Sequence, residues 1–419
     1  MPDIPRDSAP DATLALLREG YLFIGRRCDR LGSDIFATRL MLRRVICMRG
    51  KDAARLFYGS GAFTRRKAMP PTTFRLLQDV GSVQTLEGDI HRHRKAMFVH
   101  LLIDPVEIQR IVRLFRAEIA HAVTDWRRRH AVRLMDELPV LLARAAVDWL
   151  GIPRAQLDPD RLAPELVRMI ESAGGFGPRT WSALLRRRRV EGWLADLVRL
   201  ERAQDLVGHG ASPFATICRH RDPAGVLLSE DEAVVETLNL LRPLVAVGRF
   251  IAFAVVELAR HPDIAAGLTV RGAADLAERF CEEVRRTAPF FPFVGGVALR
   301  PLTWNGYEIG QGAWVLLDLY GTNHHPDLFP RPERLDIDRR RSWREQGFDF
   351  IPQGGGDTRT DHRCPGEAFT VALMAEALRV LASTGGWTLP PQDLSVDLSR
   401  VPAAPRSGVV LDFDPAHGA

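Results

Sequence analysis

The chain has 419 residues, of which 46% are hydrophobic and 26% charged, and its 57 basic and 52 acidic side chains leave a formal charge of +5. That length allows one large or two medium domains with a substantial core, and the composition is that of a soluble globular protein. The charge surplus is small, and no basic stripe with interleaved aromatics accompanies it, so nothing argues for nucleic acid as a partner.

Residues 1–12 are polar and Pro-bearing and read as a loose terminus. The start, Met1-Pro2-Asp3-Ile4-Pro5-Arg6, carries no signal-peptide core and no apolar stretch of about 18 residues. The expectation is a cytoplasmic enzyme without a membrane anchor. Residues 35–48 read as a short strand region that ends at Gly50. From Asp89 to about Gln204 the pattern is helical, broken by Pro105, Pro153 and Gly174-Gly175. Residues 229–260 give the longest helix: Ser229 and Glu232 form a capping-box signature, and His261-Pro262 closes it. Such a helix spans nearly 50 Å, and its apolar run should carry it through the interior. A further helix is expected over 273–287, stopping before Pro289. Trp304-Asn305-Gly306-Tyr307 is a hairpin signal, 314–319 reads as a strand, and 368–382 as the last long helix. No repeat or linker marks a boundary, so 1–419 is taken as one mainly helical domain with a small β component.

The five cysteines, Cys28, Cys47, Cys218, Cys281 and Cys364, are scattered and form no Cys-x-x-Cys, which speaks against a disulfide framework or a zinc ribbon and for a reducing compartment. Cys364 stands apart. It follows Phe350-Ile351-Pro352-Gln353-Gly354-Gly355-Gly356 and His362-Arg363, and an apolar helical run begins just after it. A sulfur at a helix start feels the positive end of the dipole, which favours the thiolate that ligates metal. Glycines let the loop pass close to something flat and bulky. The sharp reading is a thiolate beneath a haem iron.

Arg242-Pro243 lies in the middle of the long apolar helix. Pro243 removes a backbone donor and should bend the helix. Arg242 puts an obligatory cation among apolar neighbours and needs an anion, either a structural acid or the carboxylate of a substrate. Glu283 and Arg286 are spaced to pair on one helix face. The runs Arg65-Arg66-Lys67 and His91-Arg92-His93-Arg94-Lys95 are either solvated charge or haem-propionate contacts, and Arg186-Arg187-Arg188-Arg189 reads as a solvated helix face. His324 and His325 beside Asp327 look like part of a turn rather than a metal site.

With the cysteine loop, Glu283-x-x-Arg286 and Pro332-Glu333-Arg334 in that order, the chain resembles the cytochrome P-450 (haem-thiolate) superfamily over nearly its whole length. The usual central-helix acid–threonine pair is missing, and Arg242-Pro243 takes its place. Together with the long Pro352-Gln353-Gly354-Gly355-Gly356-Asp357 loop, Cys364-Pro365-Gly366-Glu367, Leu317-Asp318-Leu319-Tyr320-Gly321, Asn323-His324, Gln84, Glu87-Gly88 and the His91 run, this resembles the bacterial fatty-acid peroxygenases, nearest their α-hydroxylating members.

The resemblance implies a P-450 fold with haem b held between the long helix and the loop of Cys364, the axial metal ligand. It implies haem contacts from Arg65, His91, Lys95, Tyr320 and His362. It further implies that Arg242 and Pro243 form the catalytic position, that Arg242 holds the carboxylate of a long-chain fatty acid, and that hydrogen peroxide is used without a redox partner. The substrate's own acid group then serves as the general acid–base. Gln84 falls where alkene-forming members often carry histidine. An amide does not relay a proton as an imidazole does, which favours hydroxylation at the α, and also the β, carbon. Gln78 replaces a phenylalanine common near the substrate. Phe290, Phe291 and Phe293 are candidates for the channel wall, and Leu241 and Ala246 for the pocket beside Arg242. The competing expectations are a decarboxylase forming terminal alkenes, a reductase-driven monooxygenase, a non-catalytic haem sensor or carrier and, last, a zinc or structural protein.

Overall fold

A computed structural model describes residues 2–77, 81–175, 177–203 and 212–413. Gln78 lies outside the described residues. In chain order the elements are α1 (Thr13–Glu19), α2 (Phe23–Leu31), β1 (Ile35–Leu40), β2 (Arg43–Met48), α3 (Lys51–Gly59), β3 (Phe63–Thr64) and α4 (Pro71–Leu77). A 3-10 turn at Val83–Thr85 leads into α5 (Gly88–Ile103), α6 (Pro105–Arg129), β4 (Ala131–Arg133), α7 (Leu134–Leu150), α8 (Pro159–Glu171), α9 (Pro178–Ala203) and α10 (Pro213–Cys218). Then come α11 (Glu230–Arg260), α12 (Pro262–Leu268), α13 (Ala274–Thr287), β5 (Phe293–Ala298), β6 (Leu302–Trp304), β7 (Tyr307–Ile309), β8 (Trp314–Asp318), α14 (Leu319–Asn323), α15 (Glu367–Thr384) and β9 (Val410–Asp412).

Local chemistry explains the boundaries. Pro105 opens α6 rather than merely interrupting a longer helix: Asp104 caps it by accepting from the Val106 N–H. The Asp158–Pro159 pair starts α8 in the same way. Ser229 and Glu232 form the expected capping box, and α11 then runs without interruption through Pro243. It packs against α7, α8, α9 and α15, and most of its length is buried. Among the described residues it is the one helix long and apolar enough to cross a membrane, and 89% of its most apolar stretch is covered by the rest of the fold.

The principal sheet has the order β1-β2-β8-β5-β3, with β2 and β8 parallel and the other pairs antiparallel. The strand-like region over 35–48 is a hairpin, because Met41 and Leu42 turn the chain in left-handed conformations. The Asn305-Gly306 turn joins β6 to β7 as expected. The N-terminal segment is not loose. Arg6 bridges to Ala37, and the Asp7 carboxylate holds Arg27 at 2.8 Å and Arg30 at 2.7 Å.

Candidate active site

The loop before α15 is shaped by its glycines. Gly354 and Gly356 have φ of +102° and +89°, and a Cβ at Gly354 would sit 3.1 Å from the Tyr58 hydroxyl. Cys364 donates its N–H to the Gln353 carbonyl at 3.1 Å, and the Gln353 amide nitrogen stands 3.9 Å from Sγ. Burial pushes the Cys364 thiol up, with nearby Glu367 adding to the effect, against pulls from the Gly366 N–H, Lys95 and Arg285. The dipole argument alone predicted a lowered value, and desolvation overrides it. A thiolate here therefore calls for a cation against the sulfur, which a ferric haem provides.

Glu367 anchors the start of α15. It accepts from Arg285 at 2.5 Å and from Arg363 at 2.6 Å, and Glu282 also pairs with Arg285. Glu283 and Arg286 meet at 2.8 Å, both buried, and Arg339 reaches the same carboxylate at 3.1 Å. This is an interior network rather than a surface pair.

Arg65, His91 and Lys95 are buried, at 6%, 5% and 3% exposure, and converge with His362, whose ring lies 4.0 Å from that of His91. Lys95 donates to the carbonyls of Asp361 and Arg363. Arg65 donates to the Gly295 carbonyl at 3.3 Å and lies over the Phe57 ring. Among the described residues no carboxylate pairs with any of the four. Burial, then the Lys95 and Arg65 charges, lowers His91 to about 4. His362 falls to about 2 through burial and its cationic neighbours, and Lys95 to about 8, chiefly through burial. Near neutral pH the two imidazoles are therefore neutral N–H donors beside two cations. This donor set fits an anionic flat group bearing two carboxylates, as haem does.

Tyr320 is not part of this cluster. Its ring stacks on His324 at 3.9 Å and meets Tyr21 edge-on at 5.2 Å. His324 binds the Tyr320 carbonyl and His325 faces Asp34, so both histidines serve local structure. The expected basic faces also separate. Arg92 and His93 are exposed, whereas Arg94 is buried against Glu236 at 2.9 Å. In the Arg186–Arg189 run, Arg187 turns inward to Glu191 and the Arg75 carbonyl. It lies on the buried side of α9, which the charge pattern alone does not reveal.

Arg242 is 3% exposed on α11. It donates to the carbonyls of Leu76, at 2.9 Å, and Leu77, at the end of α4, and to Asn239 Oδ1 at 3.1 Å. Leu241 and Ala246 are buried on the same helix. Gln84 sits in the 3-10 turn, half-buried. Phe290 stacks on Phe250 of α11 at 4.4 Å, Phe291 meets Phe290 edge-on, and Phe293 opens β5. Glu236 and Asn239 escaped the sequence reading, and Arg94 was read only as one of a basic run. The signal was present as polar residues every third position, Glu236-x-x-Asn239-x-x-Arg242, inside an apolar helix.

Fold and loop together define a haem-thiolate protein of the cytochrome P450 class, and the family model described as cytochrome P450 matches residues 271–381. A putative cytochrome P450 138 of Mycobacterium tuberculosis (strain ATCC 25618 / H37Rv) is 26% identical, over 88% of this chain and 86% of its own length. The solved structure of cytochrome P450EX alpha (CYP152N1) with myristic acid is 36% identical and superposes with a TM-score of 0.91, covering 98% of this chain and 99% of its own. A single-residue variant of cytochrome P450 OleT in complex with arachidonic acid is 30% identical, with a TM-score of 0.90 and 98% of each chain covered. The chain belongs to the CYP152 family, the fatty-acid peroxygenase branch of the cytochrome P450 superfamily. Its cofactor is haem with a thiolate-ligated iron.

Proposed function

We propose that this enzyme hydroxylates long-chain fatty acids at the α carbon, and to a lesser extent at the β carbon, using hydrogen peroxide and no redox partner. Cys364 is the iron ligand, and Arg65, His91, Lys95 and His362 hold the haem propionates. Tyr320 is left out of this set because its ring packs elsewhere. When bound, haem supplies the chemistry that splits the peroxide O–O bond and delivers one oxygen atom to a C–H bond, the other leaving as water. The observation that carries the reading is Arg242, a cation buried in mid-helix where an acid–threonine pair would otherwise stand. Its guanidinium binds the fatty-acid carboxylate, which fixes the adjacent carbons relative to the oxidant. The same carboxylate takes a proton from one peroxide oxygen and returns it to the other as water departs. Phe290 and Phe250 give the acyl chain an apolar wall. Gln84 offers no titrating group near the carboxylate, which favours hydroxylation over decarboxylation. The free cysteines and the covered α11 are consistent with a cytoplasmic enzyme.

Purified holoenzyme given peroxide alone should convert myristic and palmitic acids to 2-hydroxy acids, read by gas chromatography. Arg242→Ala should lose the fatty-acid-induced change in the haem spectrum and at least about 100-fold in turnover, as removal of a positioning ion pair predicts. Turnover that requires NADPH and a reductase, or that survives Arg242→Ala, overturns the proposal.

A further inference from the structure

One buried carboxylate joins the two parts of the site above. Glu236 has 0% exposure on α11. Its Oε1 accepts from Arg94 Nη1 at 2.9 Å and from the Val83 N–H at 2.8 Å. Its Oε2 accepts from the Asn239 amide at 2.8 Å. Asn239 Oδ1 in turn accepts from Arg242 at 3.1 Å. A guanidinium only donates, so the Asn239 amide has one allowed orientation: its oxygen toward Arg242 and its NH2 toward Glu236.

The other arm holds the turn. Val83 precedes Gln84, and its N–H has the Glu236 carboxylate as partner. Thr85 is fixed by its hydroxyl and N–H on the Ser82 carbonyl, both at 2.9 Å, and by Arg66 on its own carbonyl at 3.2 Å. Arg94 also reaches Glu232 at 3.2 Å and the Gly81 carbonyl at 3.3 Å. Gln84 is thus borne on a turn pinned on both sides, and the pin on the α11 side is Glu236.

We propose that Glu236 is a positioning residue for the oxygenation reaction: through Asn239 it sets the direction of Arg242, and through the Val83 N–H it sets the place of the turn that carries Gln84. This rests on the peroxygenase reading and adds to it a residue that touches neither substrate nor haem. At this contact an amide, not a second acid, stands against the guanidinium. It orients the cation without adding a charge that competes with the fatty-acid carboxylate. Replacing Glu236 by glutamine turns an acceptor into a donor on one side. If the new NH2 faces Asn239, that amide must flip and present its own NH2 to Arg242. If it faces Val83 and Arg94, the turn loses its pin.

The test uses the holoenzymes Glu236→Gln and Asn239→Leu, with myristic acid and peroxide. Both should keep the haem content and the CO-difference band of the unaltered enzyme. Both should raise the KM for myristic acid about tenfold with a smaller change in kcat, because orienting hydrogen bonds to charged groups are lost. Only Glu236→Gln should also shift the ratio of 2-hydroxy to 3-hydroxy product, because Asn239→Leu leaves the Val83 pin intact. Unchanged KM and product ratio in a haem-replete Glu236→Gln overturns the proposal. Should that variant fail to hold haem, unchanged KM in Asn239→Leu does the same. If the unaltered enzyme neither responds spectrally to myristic acid nor turns it over with peroxide, the peroxygenase reading itself has failed. Normal behaviour there with silent variants removes only the role of Glu236.

Discussion

Around the start of α15, Arg285 meets Glu282 and Glu367, and Arg363 meets Glu367, while nearby Arg286 meets Glu283. Around the neighbouring cluster, Arg65 and Lys95 meet carbonyl oxygens, ring faces and the Tyr58 side chain but no carboxylate among the described residues, and the His91 and His362 rings lie tilted against each other. Both regions bury cations. The first is closed in charge within the chain, as a structural support must be. The second is left electropositive, which the fold tolerates where an anionic group completes it. The contrast separates what holds the cysteine loop from what is proposed to hold the cofactor, although His362, Arg363 and Cys364 are close neighbours in sequence.

The largest effect expected from this contrast falls on the closed network. Glu367→Ala leaves Arg363 with only the carbonyls of Trp343, Glu345 and Gly356 and takes one of two acids from Arg285. Breaking a buried pair by removing one partner costs about 3–5 kcal/mol. Denaturant titration of the holoenzyme, followed by far-UV circular dichroism, should register a loss of that size. A loss under about 1 kcal/mol, the scale of a surface pair, breaks the comparison.

In the open cluster the effect should move from folding to cofactor retention. Lys95→Ala removes a cation that burial already holds down to about 8. The denaturation midpoint of the polypeptide should therefore shift little. Haem transfer to an acceptor protein should be about tenfold faster, or more, as loss of one charge-assisted hydrogen bond of about 1.5–3 kcal/mol implies. Unfolding without faster haem loss would class Lys95 with the structural cations.

This division was only partly legible in the sequence. The capping box of α11, the Asn305-Gly306 hairpin and the breaks at Pro105 and Pro153 are local signals, and they appear in the fold where the local physics puts them. Cys364 and Arg242 were also visible, because each is an unusual residue in an unusual setting. What stayed hidden was pairing across distance. Arg94 lies in a run of five basic or imidazole residues, and nothing local says that it alone turns to Glu236 while His91 and Lys95 turn to His362 and the loop. Arg187 was lost in its run for the same reason. At Cys364 the helix dipole was legible and the burial that raises the bare thiol was not, because a dipole is a sequence-local feature and burial is not. Tyr320 was placed at the cofactor by the resemblance; the contacts of its ring with Tyr21 and His324 were not legible.

Asp318 is the mirror image of the open cluster: a buried acid whose neighbouring cation is already engaged. One oxygen caps α14 by accepting from the Gly321 N–H at 2.6 Å, and the other, Oδ2, is buried without a hydrogen-bond partner among the described residues. Arg49, the nearby cation, is held by Asp29 and Asp34, each at 2.7 Å. Burial pushes the Asp318 carboxyl up to about 7, against weaker pulls from backbone N–H groups and Arg49. The folded chain thus binds this proton more tightly than the unfolded chain. The resulting stability is fully present below the ordinary value of 3.8 and is lost as pH rises through about 7. Asp318→Asn keeps the cap and removes the titration. Relative to the unaltered enzyme its advantage should grow between pH 5 and pH 8 by on the order of 2–3 kcal/mol, read from denaturation at the two pH values. An equal difference at both pH values would mean that Asp318 is charged in the fold throughout, and that an unpaired buried ion is tolerated in the sheet without any ligand to complete it.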